Sequence, residues 1–151
     1  MDRTELLGRI YRILPKLIDE AISLPDVELR DSDGKIEGTC TPAGSHIIPR
    51  QKELEDWDRL YKSLKDKLGD WDLYHQVFDP TEDNEAIFGT LADDIADIYR
   101  DLKKGLNLDE MPQPRPEDFI WEWRLLFYSH WGKHAMDALL TIHFRLQSTA
   151  S

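Results

Sequence analysis

The chain has 151 residues, of which 40% are apolar, 32% charged and 10% aromatic. That is about one domain, long enough for a core of its own, and fifteen aromatic side chains argue against a disordered chain. Thirty acidic against nineteen basic residues leave a formal net charge of −11, which opposes binding to nucleic acid or anionic lipid through the surface as a whole.

In chain order, Leu6, Ile10, Leu14, Leu17, Ile18 and Ala21 recur at helical spacing and predict a helix from Thr4 to about Leu24. Pro15 removes one backbone donor inside it, so a kink or a division into two shorter helices is expected. Residues 26–49 form a long insertion. Within it, Val27-Glu28-Leu29-Arg30 and Lys35-Ile36-Glu37 flank Asp31-Ser32-Asp33-Gly34, whose Asp-Gly turn suggests a small β-hairpin; Thr41 to Ser45 reads as loop. The Asp31, Asp33 and Gly34 cluster lacks the spacing of a calcium-binding EF-hand loop.

A second helix is predicted from Gln51 to about Leu68, with Leu54, Trp57, Leu60, Tyr61, Leu64 and Leu68 as its apolar stripe and Gly69 as its cap. One or two further helical turns are expected over residues 71–78, ending where Asp79-Pro80 disfavours helix. The third helix opens on a capping box, Thr90 with Asp93 three residues on, and Gly105 is expected to close it beside Lys103 and Lys104. Pro112, Pro114 and Pro116 mark an extended connection, with Pro116 suited to the first position of a final helix.

That final helix runs to about Gln147 and is roughly 30 residues or 45 Å long. It is apolar nearly all round, as a central element would be, and only Gly132 interrupts it. A close backbone approach or a local bend would explain that glycine. Residues 148–151 read as a disordered tail. Four helices without a convincing sheet make an all-α, four-helix-bundle-like single domain over residues 1–151, with the irregular insertion after the first helix.

Export is not expected, because Met1-Asp2-Arg3-Thr4-Glu5 lacks the apolar core of a secretory leader. No apolar run approaches the ~18 residues that span a bilayer, so no membrane association is expected. The lone Cys40 can form neither an internal disulfide nor a thiolate zinc cage, which fits a reducing, cytoplasmic setting.

Residues 79–110 hold ten acidic and three basic side chains, which is seven of the eleven net negative charges. On a helical wheel Ile87, Leu91, Ile95, Ile98, Tyr99 and Leu102 make one apolar arc. Asp93, Asp94, Asp97 and Asp101 make a second. Asp94 and Asp101 lie nearest the apolar edge; Asp93 is the most exposed, and its capping role accounts for it. On the last helix Trp123, His130, His134, Asp137 and Thr141 share a narrow arc. Two imidazoles at i and i+4 with an acid three further on can converge on one cation.

Three readings share these residues. The first is a buried polar network, in which Asp97 or Asp101 pairs with His134 and Asp137 with His130. The second is a divalent-metal site built from His130, His134, Asp137, Asp94, Asp97 and Asp101. The third is a metal-free acid–base site. The glutamate of a His-Glu-x-x-His protease is absent, since position 131 is Trp, and no phosphate loop, nucleophile elbow or dinucleotide fingerprint occurs.

Two blocks of sequence resemble a family of small bacterial proteins known as a domain of unknown function. The first is Phe78-Asp79-Pro80, Leu91-Ala92-Asp93-Asp94-Ile95-Ala96-Asp97-Ile98-Tyr99-Arg100-Asp101-Leu102 and Gly105-Leu106. The second is Trp121-Glu122-Trp123, Phe127, His130-Trp131-Gly132-Lys133-His134-Ala135 and Asp137-Ala138-Leu139. The resemblance covers roughly the second half of the chain. It implies a soluble bacterial helical protein with no assigned activity, and it carries no catalytic residue over.

The leading expectation for function is a non-catalytic interaction or regulatory module whose acidic surface suits another protein. The alternative is a divalent-metal-binding protein or metal-dependent hydrolase, in which the ion activates water, for instance toward a phosphate ester. A cofactor other than such an ion is not indicated.

Overall fold

The computed structural model describes residues 1–28, 51–106 and 115–149. The hairpin suggested around Asp31 to Gly34, the loop at Thr41 to Ser45 and Cys40 lie outside the described residues. Helix α1 spans Arg3–Ser23, capped by Asp2, whose Oδ1 accepts the Glu5 amide N–H at 2.8 Å. It continues through Pro15 as one segment. Pro15 is exposed, so the carbonyl it leaves without a donor can turn to water.

Helix α2 spans Gln51–Leu68 and ends at Gly69, whose φ of +56° is the left-handed conformation that glycine adopts without strain. The expected helical turns beyond it are a correction. After a 3-10 turn at Gly69–Trp71 the chain forms strand β1, Leu73–Gln76, which pairs antiparallel with β2, Ile87–Thr90. The register sets Leu73 against Thr90 and Gln76 against Ile87. Tyr74, Val77, Ile87 and Phe88 favour extended backbone, and Tyr74 turns inward while Leu73 and His75 face water, the period-two burial of a strand.

Helix α3, Leu91–Leu106, starts directly from β2. Thr90 Oγ1 accepts the Asp93 amide N–H at 3.2 Å, one half of the expected capping box; the return bond from the Asp93 carboxylate is absent among the described residues, and Asp72 Oδ1 accepts the Ala92 amide N–H at 2.8 Å. Gly105 does not end this helix. It lies buried in the last turn, where an added Cβ would stand 1.9 Å from Trp123 Nε1. The glycine is there to admit the indole, which donates to the Leu102 carbonyl at 3.3 Å.

The final helix is α4, Pro116–Leu126, and α5, Gly132–Gln147, joined by a π-helical turn at Phe127–Trp131. The Gly132 amide donates to the Phe127 carbonyl five residues back, and an added Cβ would meet that oxygen at 2.5 Å. The close approach expected at Gly132 is therefore made by its own preceding turn. The hydroxyls of Ser148 and Thr149 bond the carbonyls of Arg145 and Leu146 beyond it.

Among the described residues the architecture is all-α apart from the small hairpin. Helix α3 packs between α2 and α5, and α5 packs against α1. Ala92 and Ala96 of α3, with Ala135 and Ala138 of α5, are fully buried. Small side chains on both inner helices let the axes approach closely. The core adds Leu7 and Leu14 of α1, Leu64 and Leu68 of α2, and Trp131, whose ring meets Phe127 edge to face at 4.8 Å.

One expectation about the last helix needs correcting: it is not covered all round. Met136, Leu140 and Phe144 are 50%, 60% and 62% exposed, along one face of α5. No described helix is long and apolar enough to cross a membrane.

Candidate functional site

The packing of α3 against α5 brings the aspartate face of one helix to the histidine face of the other. Asp94, Asp97 and Asp101 are all buried. Spaced at three and four residues, they look from successive turns toward His130 and His134, which stand one turn apart on the π-turn and α5. The two imidazole rings meet at 4.8 Å between centroids, 66° apart.

Each histidine is anchored through Nδ1 to a different carboxylate. His130 Nδ1 lies 2.7 Å from Asp101 Oδ2, and His134 Nδ1 lies 2.7 Å from Asp94 Oδ1. Carboxylate acceptors there place the hydrogen on Nδ1 of a neutral ring and leave the Nε2 lone pair free. Both Nε2 atoms then face one oxygen. Each lies 3.6 Å from Asp97 Oδ2. Asp97, His130 and His134 are the described residues whose ligand atoms converge, all within 4.8 Å of one another.

Asp97 is itself held in place. Its Oδ1 accepts the indole N–H of Trp57 at 2.7 Å and lies 2.9 Å from Arg100 Nη1. Trp57 stacks almost flat on Tyr61 at 5.0 Å, so α2 fixes the indole. Asp94 Oδ2 accepts the Tyr74 hydroxyl at 2.6 Å, and Arg100 Nε reaches Asp101 Oδ1 at 3.5 Å.

The expected approach of Asp97 to His134 is present at 3.6 Å, but the shorter bonds differ from those expected. His134 is held by Asp94 and His130 by Asp101, while Asp97 faces both rings. Asp137 does not join them: its carboxylate pairs with Lys133, which also donates to Gln76 Oε1 at 3.0 Å. The i to i+3 step from His134 carries Asp137 toward the hairpin instead. His143 lies elsewhere, 2.9 Å from the Tyr11 hydroxyl.

Burial and charge perturb several of these groups. The hydrogen bond that His134 donates to the Asp94 carboxylate raises its imidazole above the ordinary value, against a smaller opposing effect of burial. Burial raises the Asp94 carboxyl, and its bonds to His134 and Tyr74 pull the other way. The two groups together thus hold a proton more strongly than either would in water. Burial, and then Asp94, push the Tyr74 phenol far upward, so it remains a donor. Asp93 is half-buried, and burial followed by the neighbouring Asp97 raises its carboxyl. Its amide is capped as the sequence implies, yet its side chain is close enough to feel Asp97, both histidines and Arg100.

Tyr74, Trp57, Arg100 and Asp93 are thus the residues that sequence reasoning left out of the cluster. Only Asp93 and Arg100 carried a usable signal, lying four and three residues from Asp97 on the same helical face.

The profile of a domain of unknown function (DUF5063) matches residues 1–148. The crystal structure of protein BF1032 from Bacteroides fragilis is similar, with a TM-score of 0.65 and 22% identity over 95% of this chain and 77% of that one. Likeness at that identity speaks for the fold. None of the curated proteins matches the chain.

Proposed function

This chain belongs to the DUF5063 family, and we propose that it binds a divalent transition-metal ion through Asp97, His130 and His134. The observation that carries this reading is the double anchoring. Two imidazoles are held at Nδ1 by separate carboxylates, and both turn Nε2 to the same Asp97 oxygen at 3.6 Å. Ligand histidines usually donate their other ring N–H to just such an acceptor. Two ligand atoms each ~2.1 Å from a shared ion at near-tetrahedral angles stand about 3.4 Å apart. A spacing of 3.6 Å is too long for a hydrogen bond and close to that value.

Two imidazoles and one carboxylate suit zinc, iron or manganese. Three protein ligands leave room for water, which a bound ion would acidify. In this reading Asp94, Asp101, Tyr74, Trp57 and Arg100 orient the ligands, and Asp137 is not a ligand.

Elemental analysis of gently purified protein, followed by re-loading after chelation, tests the proposal. Near-stoichiometric binding is expected. An ion present at about a hundred times its Kd should add ~2.7 kcal/mol of stability. His134→Ala should lower occupancy while the helical circular dichroism is retained. Absence of stoichiometric uptake, together with an unchanged melting temperature on adding zinc, manganese or iron, would reject the proposal.

A second reading, an interaction module, has its own support in the exposed row of Met136, Leu140 and Phe144 on a chain of net charge −11. A basic protein with an apolar strip would fit. Leu140→Glu should abolish recovery of such a partner, and equal recovery with the wild type would remove this reading.

A further inference from the structure

The charge around the Asp97, His130 and His134 cluster restricts what its remaining face can accept. This inference rests on the metal reading above and concerns the ligand that would complete the ion's coordination. His130 and His134 side chains are 38% and 22% exposed, so the cluster opens to solvent on the imidazole side. Asp93, Asp94, Asp97 and Asp101 contribute four carboxylates, and Arg100 is the guanidinium among them. With a divalent ion bound and both imidazoles neutral, those groups carry a formal charge of −1.

Sites that bind phosphate look different. They offer unpaired arginine or lysine, or the free amides of a helix N-terminus. Here the Arg100 guanidinium is already paired with Asp97 through Nη1 and with Asp101 through Nε. The Lys133 ammonium is paired with Asp137. The first amides of α3 are taken as well, Ala92 by Asp72 and Asp93 by Thr90. Asp93 is the odd member of the cluster. It lies one turn before Asp97 on the same face of α3, half-buried, and its carboxylate holds no hydrogen bond or ion pair among the described residues.

We infer that the open coordination position takes a neutral nitrogen or oxygen donor, such as an amine, amide or alcohol, whose hydrogen Asp93 accepts, and that it turns away phosphate esters. Asp93 is in this view a specificity-determining residue and not a ligand of the ion, since its oxygens stand outside the convergent group. This argues against the phosphate-ester chemistry considered from the sequence.

The test uses the full chain loaded with cobalt(II), whose visible bands report ligand exchange. Loaded protein, freed of excess cobalt, is titrated with imidazole and separately with inorganic phosphate at constant ionic strength and at about pH 8, where imidazole is mostly neutral. Imidazole should shift the bands with a Kd at least about tenfold below that of phosphate. Asp93→Asn, checked for unchanged cobalt stoichiometry and helicity, should narrow that ratio by weakening imidazole and admitting phosphate. Phosphate binding as tightly as imidazole, bands that respond to neither, or a ratio unmoved in Asp93→Asn would each overturn the inference. Failure to take up cobalt at all would instead overturn the metal reading on which it stands.

Discussion

His134 Nδ1 and Asp94 Oδ1 lie 2.7 Å apart beneath the surface of the α3–α5 seam, and Asp94 is only 2% exposed. A carboxylate so buried depends on its two donors, the imidazole and the Tyr74 hydroxyl. The folded imidazole therefore holds its proton above the ordinary value of 6.5.

A group that gains proton affinity on folding stabilises the fold most at pH values below its unfolded pKa, and that contribution is lost as pH rises through the folded one. In chelator-treated protein, the melting-temperature gap between wild type and His134→Gln should be widest on the acid side of about 6.5 and should narrow as pH rises through the raised value. Two-dimensional NMR of the imidazole nitrogens should place the His134 midpoint above that of a free histidine. A gap that widens with pH would contradict the assignment of the proton to this pair.

Tyr74→Phe removes one of the two donors to Asp94 and changes almost nothing else, since the ring is retained. It should cost about 1–3 kcal/mol in urea unfolding, the range for stranding a buried acceptor. The same change should move the His134 midpoint, because Asp94 then depends on the imidazole alone. A loss below about 0.5 kcal/mol would mean that water replaces the hydroxyl without penalty.

Much of this centre was legible in the sequence, and the reason is helical periodicity. Asp94, Asp97 and Asp101 recur at three and four residues, as do His130 and His134, so each helix announces its own polar face. Which carboxylate meets which ring depends on the relative height of two helices, and that is set by the packing of α3 on α5 and by the π-turn, neither of which has a local signature. The pairing of Asp137 with Lys133 was hidden for the same reason: the wheel gives direction around an axis but says nothing of a lysine four residues away with a partner on the hairpin. Tyr74 and Trp57 come from other elements entirely, and Tyr74 was further hidden because β1 is short enough to pass for helical turns.

Gly105 stands against Trp123 with no room for a methyl group. A glycine near the end of a helix would ordinarily tolerate alanine with some gain from reduced unfolded-state entropy. Gly105→Ala should do the opposite here. It must displace the indole and break its bond to the Leu102 carbonyl, at a cost of about 1–3 kcal/mol from overpacking and a lost hydrogen bond. Urea unfolding measures the loss, and tryptophan fluorescence reports whether Trp123 has moved. A stabilised variant would show that the helix ends can part freely.

Gly132→Ala extends the same logic into the candidate centre. An alanine in a helix is normally worth about 1 kcal/mol over glycine. At this position the new Cβ would lie 2.5 Å from the Phe127 carbonyl and 3.0 Å from its ring. The π-turn from Phe127 to Trp131 would have to rearrange, and His130 lies within it. Relaxing the turn toward regular helix changes the rotation between His130 and His134, so their Nε2 atoms should no longer share Asp97 Oδ2. The variant is expected to lose about 1–3 kcal/mol of stability and, at temperatures where it stays folded, at least about tenfold in metal affinity. Isothermal titration of wild type and variant separates the two effects. Unchanged affinity in a destabilised variant would detach the π-turn from the positioning of the histidines and leave it a packing feature alone.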